Sequence, residues 1–308
     1  MQCKYDLLII GDAVFDIYLN INAFPILSNT TIISDNMQMS PGGPAAMAMI
    51  ASKLGLKVAF YDKIGNDIFG NYLKRELNRS GVDTQHLLID KNASTAISIN
   101  LIDADKNHSF IGYLGAGDSI PNLDENIIIN SRSIFIEGYN LTKFSKTYDT
   151  IFNSVKTAKF YRKHVFFDPG PLISEINAID KFINNSDTIF LNNEEALNYS
   201  KLDLTEMLDY LKKDNKRDYV VKLGREGSVL TSRGKIFSHS SSKIEDIKST
   251  IGAGDAFDVG YITAILKGYD KNIACMSGNM VAALRLKNGI KSIPDISRVI
   301  EFISGNKM

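Results

Sequence analysis

The 308-residue chain carries 35 Lys+Arg against 35 Asp+Glu, a formal net charge of zero, with 44% hydrophobic and 23% charged residues. This is ordinary composition for a globular chain long enough to bury a full core. The even charge argues against a nucleic-acid or polyanion-surface partner, while leaving room for a small local anion pocket. Cys3 and Cys275 are too few and too far apart in sequence for a disulfide framework or a cysteine metal site, and His86, His108, His164 and His239 lack zinc-ligand spacing. No apolar run reaches the ~20 residues of a membrane-spanning helix. A strand pattern begins almost at once, leaving no room for a signal peptide, so a cytoplasmic protein is expected.

In chain order, Tyr5–Ile10 reads as a buried strand closed by Gly11-Asp12. Alternation at Ile17, Leu19 and Ile21 and across Thr30–Met39 predicts half-exposed strands. A Pro-Gly-Gly-Pro turn opens a helix over Pro44–Leu54. Val58–Tyr61 is a strand, and Asp67–Ser80 is an amphipathic helix closed by Gly81. Thr95–Ile102 and Ser109–Tyr113 form a hairpin. From Ser133 strands alternate with helices: strands at 133–136, 164–167, 188–191 and 219–223, helices at 142–160, 172–184, 194–199 and 204–212. Two short strands, 228–231 and 235–238, and three helices, 253–267, 272–287 and 296–303, complete the chain.

The alternation predicts one doubly wound α/β domain spanning residues 1–308, its mostly parallel sheet covered by helices on both faces. The strands of about 13–40 and 95–113 do not fit this alternation and are expected to form a small side sheet over the site.

Gly252-Ala253-Gly254-Asp255 runs directly into an apolar helix. Small residues let the backbone approach a ligand, and the helix start offers free N–H groups, so this is an anion site. A carboxylate there makes sense if Asp255 takes a proton from an attacking hydroxyl while the N–H groups hold a phosphoryl group. It is not a Walker loop, since no Gly-Lys-Ser/Thr follows. Gly42-Gly43 begin a helix and would let substrate approach the backbone. Asn192 and Glu195 follow a strand and share a helical face. They read equally as Mg²⁺ ligands acting through water and as a helix N-cap. Lys222, Gly224 and Gly227 mark a turn between strands or the flank of a nucleotide site. Asp16 and Asp12 lie just past the first strand, where a carboxylate can accept hydrogen bonds from sugar hydroxyls or simply be solvated. Asp168-Pro169-Gly170 reads as a turn.

Taken in order, Gly42-Gly43-Pro44, Ile64-Gly65-Asn66-Asp67-Ile68-Phe69-Gly70, Asn192-x-x-Glu195, Lys222-Leu223-Gly224-x-x-Gly227 and Thr250–Phe257 resemble the ribokinase-like carbohydrate kinases, the phosphofructokinase-B family. The resemblance runs from Asp6 to about Phe302. It implies an ATP-dependent kinase of a sugar or sugar-like alcohol, with Asp255 as base and Gly252, Ala253 and Gly254 as the anion hole. It implies Mg²⁺ organised by Asn192 and Glu195, an ATP site lined by Lys222, Gly224, Gly227 and Asn279, and Asp16, Gly42 and Gly43 facing the sugar. The side sheet would be a lid, with homodimers formed through it.

Three positions depart from the family pattern. Ser249 stands where an acid helps hold a monovalent cation, which argues against potassium activation. Met47 and Val14 replace asparagines at sugar-facing places, which argues against ribose. Two further readings follow: a nucleoside kinase in which Met47, Val14 and Phe15 pack against a base, and a catalytically quiet sugar sensor of the same fold.

Overall fold

Leu7 and Ile9 point to one side of the first strand and Leu8 and Ile10 to the other, and all four are buried. A strand apolar on both faces requires cover above and below. The computed structural model, which describes residues 3–105, 107–142, 145–176, 178–241, 251–288, 293 and 295–304, has that arrangement. The main sheet contains β1 (Tyr5–Ile10), β4 (Val58–Gly65), β5 (Leu87–Asp90), β8 (Ser131–Glu137), β9 (His164–Asp168), β10 (Thr188–Asn192), β11 (Asp218–Lys222), β12 (Ser228–Ser232) and β13 (Lys235–His239), in the order β13-β12-β11-β10-β9-β8-β1-β4-β5. All pairings from β11 to β5 are parallel, and β12 and β13 add an antiparallel edge.

One face packs Leu7, Ile9, Phe60, Phe135, Phe166 and Phe190 against α1 (Gly43–Lys53), α2 (Ile68–Arg79), α8 (Ala253–Leu266), α9 (Lys271–Asn288) and α10 (Ile296–Ile303). The other packs Leu8, Ile10, Ile134, Ile136, Phe167 and Leu191 against α3 (Glu125–Ile129), α4 (Tyr148–Phe160), α5 (Ile179–Asn184), α6 (Asn193–Ser200) and α7 (Leu204–Leu211). None of the helices among the described residues is long and apolar enough to cross a membrane.

A second sheet holds β2 (Val14–Asn20), β3 (Met37–Pro41), β6 (Ala96–Ile102) and β7 (His108–Tyr113), in the order β3-β2-β6-β7. Its register places Met39, Ile17, Ile99 and Ile111 in one row and Ser40, Asp16, Ser98 and Gly112 in the next. Successive side chains alternate sides, so one face is apolar and the opposite face carries Asp16. The segment Ile64–Gly70 ties this lid to the main sheet. Asp67 caps α2 through the Gly70 N–H at 2.8 Å and also accepts from the Thr95 N–H and hydroxyl at 2.8 and 2.7 Å. These bonds outweigh partial burial and hold the Asp67 carboxyl below its usual range.

Several boundaries differ from expectation. Residues 30–36 form no strand, and pairing begins only at Met37. The helix expected from 142 starts at Tyr148, because Thr142 bridges to Ile176 and Thr147 donates its hydroxyl to Gly117 O. The helix expected over 172–184 is a short turn at Ile173–Glu175 and then α5, whose cap residue Ala178 sits at a left-handed φ of 51°. The strand β5 and helix α3 were not foreseen.

Candidate active site

The parallel strands end in register. Glu137 of β8 pairs with Asp168 of β9, and Asn192 of β10 pairs with Lys222 of β11; each is the last residue of its strand. β1 lies between β4 and β8, so connections leave it in both directions, and the crevice at the carboxyl ends there is where open α/β sheets bind ligands. Asp12 follows β1 after Gly11, at φ 60°.

A cleft joins residues far apart in sequence. Asp16, Tyr18, Gly42 and Gly43 line one side, and Gly252, Asp255 and Arg285 the other, with Ala46 and Ile50 as an apolar wall. Gly42 is required for close approach: a Cβ there would lie 2.2 Å from Asp16 Cγ. Gly43 adopts φ 46°, and its vacant Cβ position faces Val14, Asp12 and Glu137 at 3.4–3.6 Å. Tyr18 donates its hydroxyl to Asp16 Oδ2 at 2.7 Å.

Helix α8 starts at Ala253 after Gly252, which caps it at φ 75°. Among the described residues, none accepts a hydrogen bond from the N–H of Gly252, Ala253 or Gly254. Such first-turn groups lack intrahelical partners and carry the positive end of the helix dipole. Ser249 lies outside the described residues.

Lys222 sits beneath this helix start, its Nζ 3.5 Å from where a Gly254 Cβ would be. It donates to Asp168 Oδ2 at 2.7 Å and to both oxygens of Asp258 at 3.0 and 3.1 Å. Burial disfavours its ammonium, but Asp168, Asp258 and Glu195 outweigh that and raise its pKa well above the usual value. Burial also raises Asp258 well above the carboxylate range, and Asp168 reinforces this, whereas Lys222 and Asp258 hold Asp168 below its ordinary value against the cost of burial. The Lys222 ammonium thus lies between two buried carboxyl groups, Asp168 shifted toward ionisation and Asp258 toward protonation. Lys222, expected to line a nucleotide site, is anchored inside this network.

The surrounding acids are shifted upward. Burial raises Asp12 to about 7, helped by Asp62, Asp16 and Asp255, and raises Asp16 and Asp62 to about 6. Burial also raises Asp255, while Lys222 and Arg285 pull it back toward ionisation. Glu137 is raised well above its usual value by burial and by Asp255 and Asp12, and its Oε2 is buried with no hydrogen-bond partner among the described residues.

Asn192 and Glu195 form a reciprocal capping box. Asn192 Oδ1 accepts from the Glu195 N–H at 2.8 Å, and the Glu195 carboxylate accepts from the Asn192 N–H and amide, each at 2.7 Å. The neighbouring Asn193 Oδ1 is buried and has no hydrogen-bond partner among the described residues. No cluster of three or more His, Cys, Asp or Glu ligands occurs among the described residues. The amide and carboxylate oxygens of Asn192, Asn193 and Glu195 are hard donors of the kind that suit a hydrated Mg²⁺. Gly224 takes φ 58° with open space around it, whereas a Cβ at Gly227 would lie 2.0 Å from His239 O. The Asn279 amide donates to Ser228 Oγ and to the carbonyls of His239 and Ser240, binding α9 to the end of the β12–β13 hairpin.

The residues proposed to pack a nucleobase are mostly core. Met47 is 1% exposed, and Phe15 packs tilted against Phe69 and edge-on to Tyr72; only Val14 stays half-buried beside Gly43. Glu137, Tyr18, Asp258 and Arg285 were not singled out from sequence. Glu137 ends a strand, a signal that was available, whereas Arg285 sits in a helix with nothing local to mark it.

A glycine-lined cleft thus joins the lid to the start of α8 at the carboxyl ends of a doubly wound sheet. The chain matches the pfkB family carbohydrate kinases over residues 4–294 and belongs to that family. It is similar to a nucleoside kinase of Methanothermobacter thermautotrophicus (25% identity over 96% of this chain and 94% of the relative). It is equally similar to an ATP-dependent ribose-1-phosphate kinase of Halopiger xanaduensis (25% identity over 96% of each). Its fold matches that of Arabidopsis thaliana ribokinase complexed with ribose and ATP, with a TM-score of 0.83 at 23% identity over 98% of this chain and 99% of that one. The protein is thus an ATP-dependent kinase of a sugar-like alcohol.

Proposed function

We propose that Asp255 is the base that removes the proton of the acceptor hydroxyl, and that the N–H groups of Gly252, Ala253 and Gly254 hold the transferring phosphoryl group. The observation that carries this reading is the single cleft shared by Asp16, Gly42, Gly43, Gly252 and Asp255. Phosphoryl transfer depends on positioning and charge stabilisation more than on covalent help, and backbone donors aimed at developing charge suit it. Asp16, steadied by Tyr18, and Asp12 and Glu137 accept hydrogen bonds from sugar hydroxyls. Gly42 and Gly43 let the ring approach the backbone.

On the nucleotide side, Lys222, Gly224, Gly227 and Asn279 shape the ATP site, Lys222 by holding the strand end and helix start together. Glu195, with Asn192 and Asn193, would hold Mg²⁺ through water. When bound, that ion neutralises charge on the phosphates.

The lid's apolar face supports a homodimer. Met37, Met39, Ile111 and Tyr113 are exposed on it, Ile111 by 60%, and β3 and β7 are its free edges. Such a surface calls for cover.

The experiment is acceptor-dependent ADP release measured across sugars and nucleosides. Release with one or a few acceptors supports the kinase reading. Sugar binding without ADP release under any metal or salt condition supports the quiet sensor instead.

A further inference from the structure

Arg285 is an unexpected residue for a cleft that takes a neutral sugar. It projects from α9 so that a Cβ at Gly252 would lie 3.5 Å from both its Nε and its Nη2; glycine leaves the guanidinium room to lie against the start of α8. Two positive features therefore sit side by side: the guanidinium and the free N–H groups of the helix. Among the described residues Arg285 forms no ion pair, and Asp16 and Asp255 act on it only at longer range. Like charges this close are stabilised when an anion comes between or beside them.

The anion would sit at the acceptor end. Arg285 shares the cleft with Asp16 and Tyr18, and its field reaches both. Asn279, tied to the hairpin on the nucleotide side, lies six residues earlier on the same helix, about 9 Å away at 1.5 Å per residue. The planar fork of Arg matches carboxylate and phosphate oxygens in pairs, which a hydroxyl cannot reproduce.

We infer that the acceptor carries, besides the hydroxyl to be phosphorylated, an oxyanion group that Arg285 binds: the substrate class is a sugar phosphate or sugar acid. This rests on the reading of the cleft as the acceptor site, but not on Asp255 being the base.

The test is calorimetric binding without nucleotide, comparing D-ribose 1-phosphate and D-ribose 5-phosphate with D-ribose, and D-gluconate with D-glucose. The expected result is tighter binding of the charged member of at least one pair, on the order of 10–100-fold, as for hydrogen bonds to charged groups. The pair that responds identifies phosphate or carboxylate. In Arg285→Gln that preference collapses, and in Arg285→Lys part of it survives. Equal affinity within every pair, including no binding at all, overturns the inference, as does an equal loss for charged and neutral members in Arg285→Gln. Near-parental turnover by Asp255→Asn with the preference intact would count against the role of Asp255 alone.

Discussion

The carboxyl group of Asp16 occupies the space that a side chain at residue 42 would need: a Cβ there would lie 2.2 Å from Asp16 Cγ and Oδ2. The glycine at the turn into α1 and the acid on the lid strand are therefore one unit, and the glycine's function is to let the acid reach the cleft.

Gly42→Ala should push Asp16 out of place. We expect kcat/KM for the acceptor to fall on the order of 10²-fold, the scale of a misplacement near 1 Å, with KM rising. In an Asp16→Ala background the same change should cost little, because the displaced group is already gone. Steady-state kinetics of the two single variants and the double variant decide this; additive losses would contradict it.

Lys222→Met leaves the buried Asp168 charge without its counter-ion. A loss of roughly 3–5 kcal/mol of stability is expected by urea unfolding, as for a broken buried pair. Lys222→Met/Asp168→Asn should recover much of it, and a double variant no more stable than Lys222→Met would show that the pair is not coupled.

The acid cluster predicts a pH signature. Asp12 is raised from 3.8 to about 7 by burial and its acidic neighbours. A folded-state pKa above the unfolded one means the native state holds the proton longer. The associated stability is full below pH 3.8 and is lost as pH rises through about 7. Asp12→Asn keeps that stability at all pH. Melting curves should show the variant gaining on the parent protein between about pH 5 and 8. A gap that is constant across that range would mean Asp12 does not titrate there.

How much of this was legible in the sequence depended on whether a residue's role was local. Gly252–Asp255 carried its own signal, since the small residues, the acid and the helix start are contiguous. The strand ends Asn192 and Lys222 were readable because turns follow them. Their partners were not: Lys222 is held by Asp168 and Asp258, 54 and 36 residues away in sequence. Asp168 did form its expected turn, accepting from the Gly170 N–H at 2.8 Å, but that turn hid its ion pair. Met47 looked available for a ligand because helical spacing does not say which apolar face meets a second helix. The strand expected over residues 30–36 finds no partner, and pairing decides strand formation.

The lid yields a prediction about assembly. Ile111→Glu places a charge at the β7 end of the row Met39–Ile17–Ile99–Ile111. Sedimentation should show a dimer for the parent protein and a monomer for the variant at the same concentration, with the fold intact. A parent protein that sediments as a monomer would remove the second copy as the cover of this face.

Single-turnover phosphate transfer by Asp255→Asn is the most direct test of the central claim. The expected result is a rate lower by roughly 10²–10⁴-fold, with acceptor binding retained and thermal stability no worse than the parent's, because a raised buried carboxylate has been neutralised. Transfer at near-parental rate would mean that some other group removes the proton.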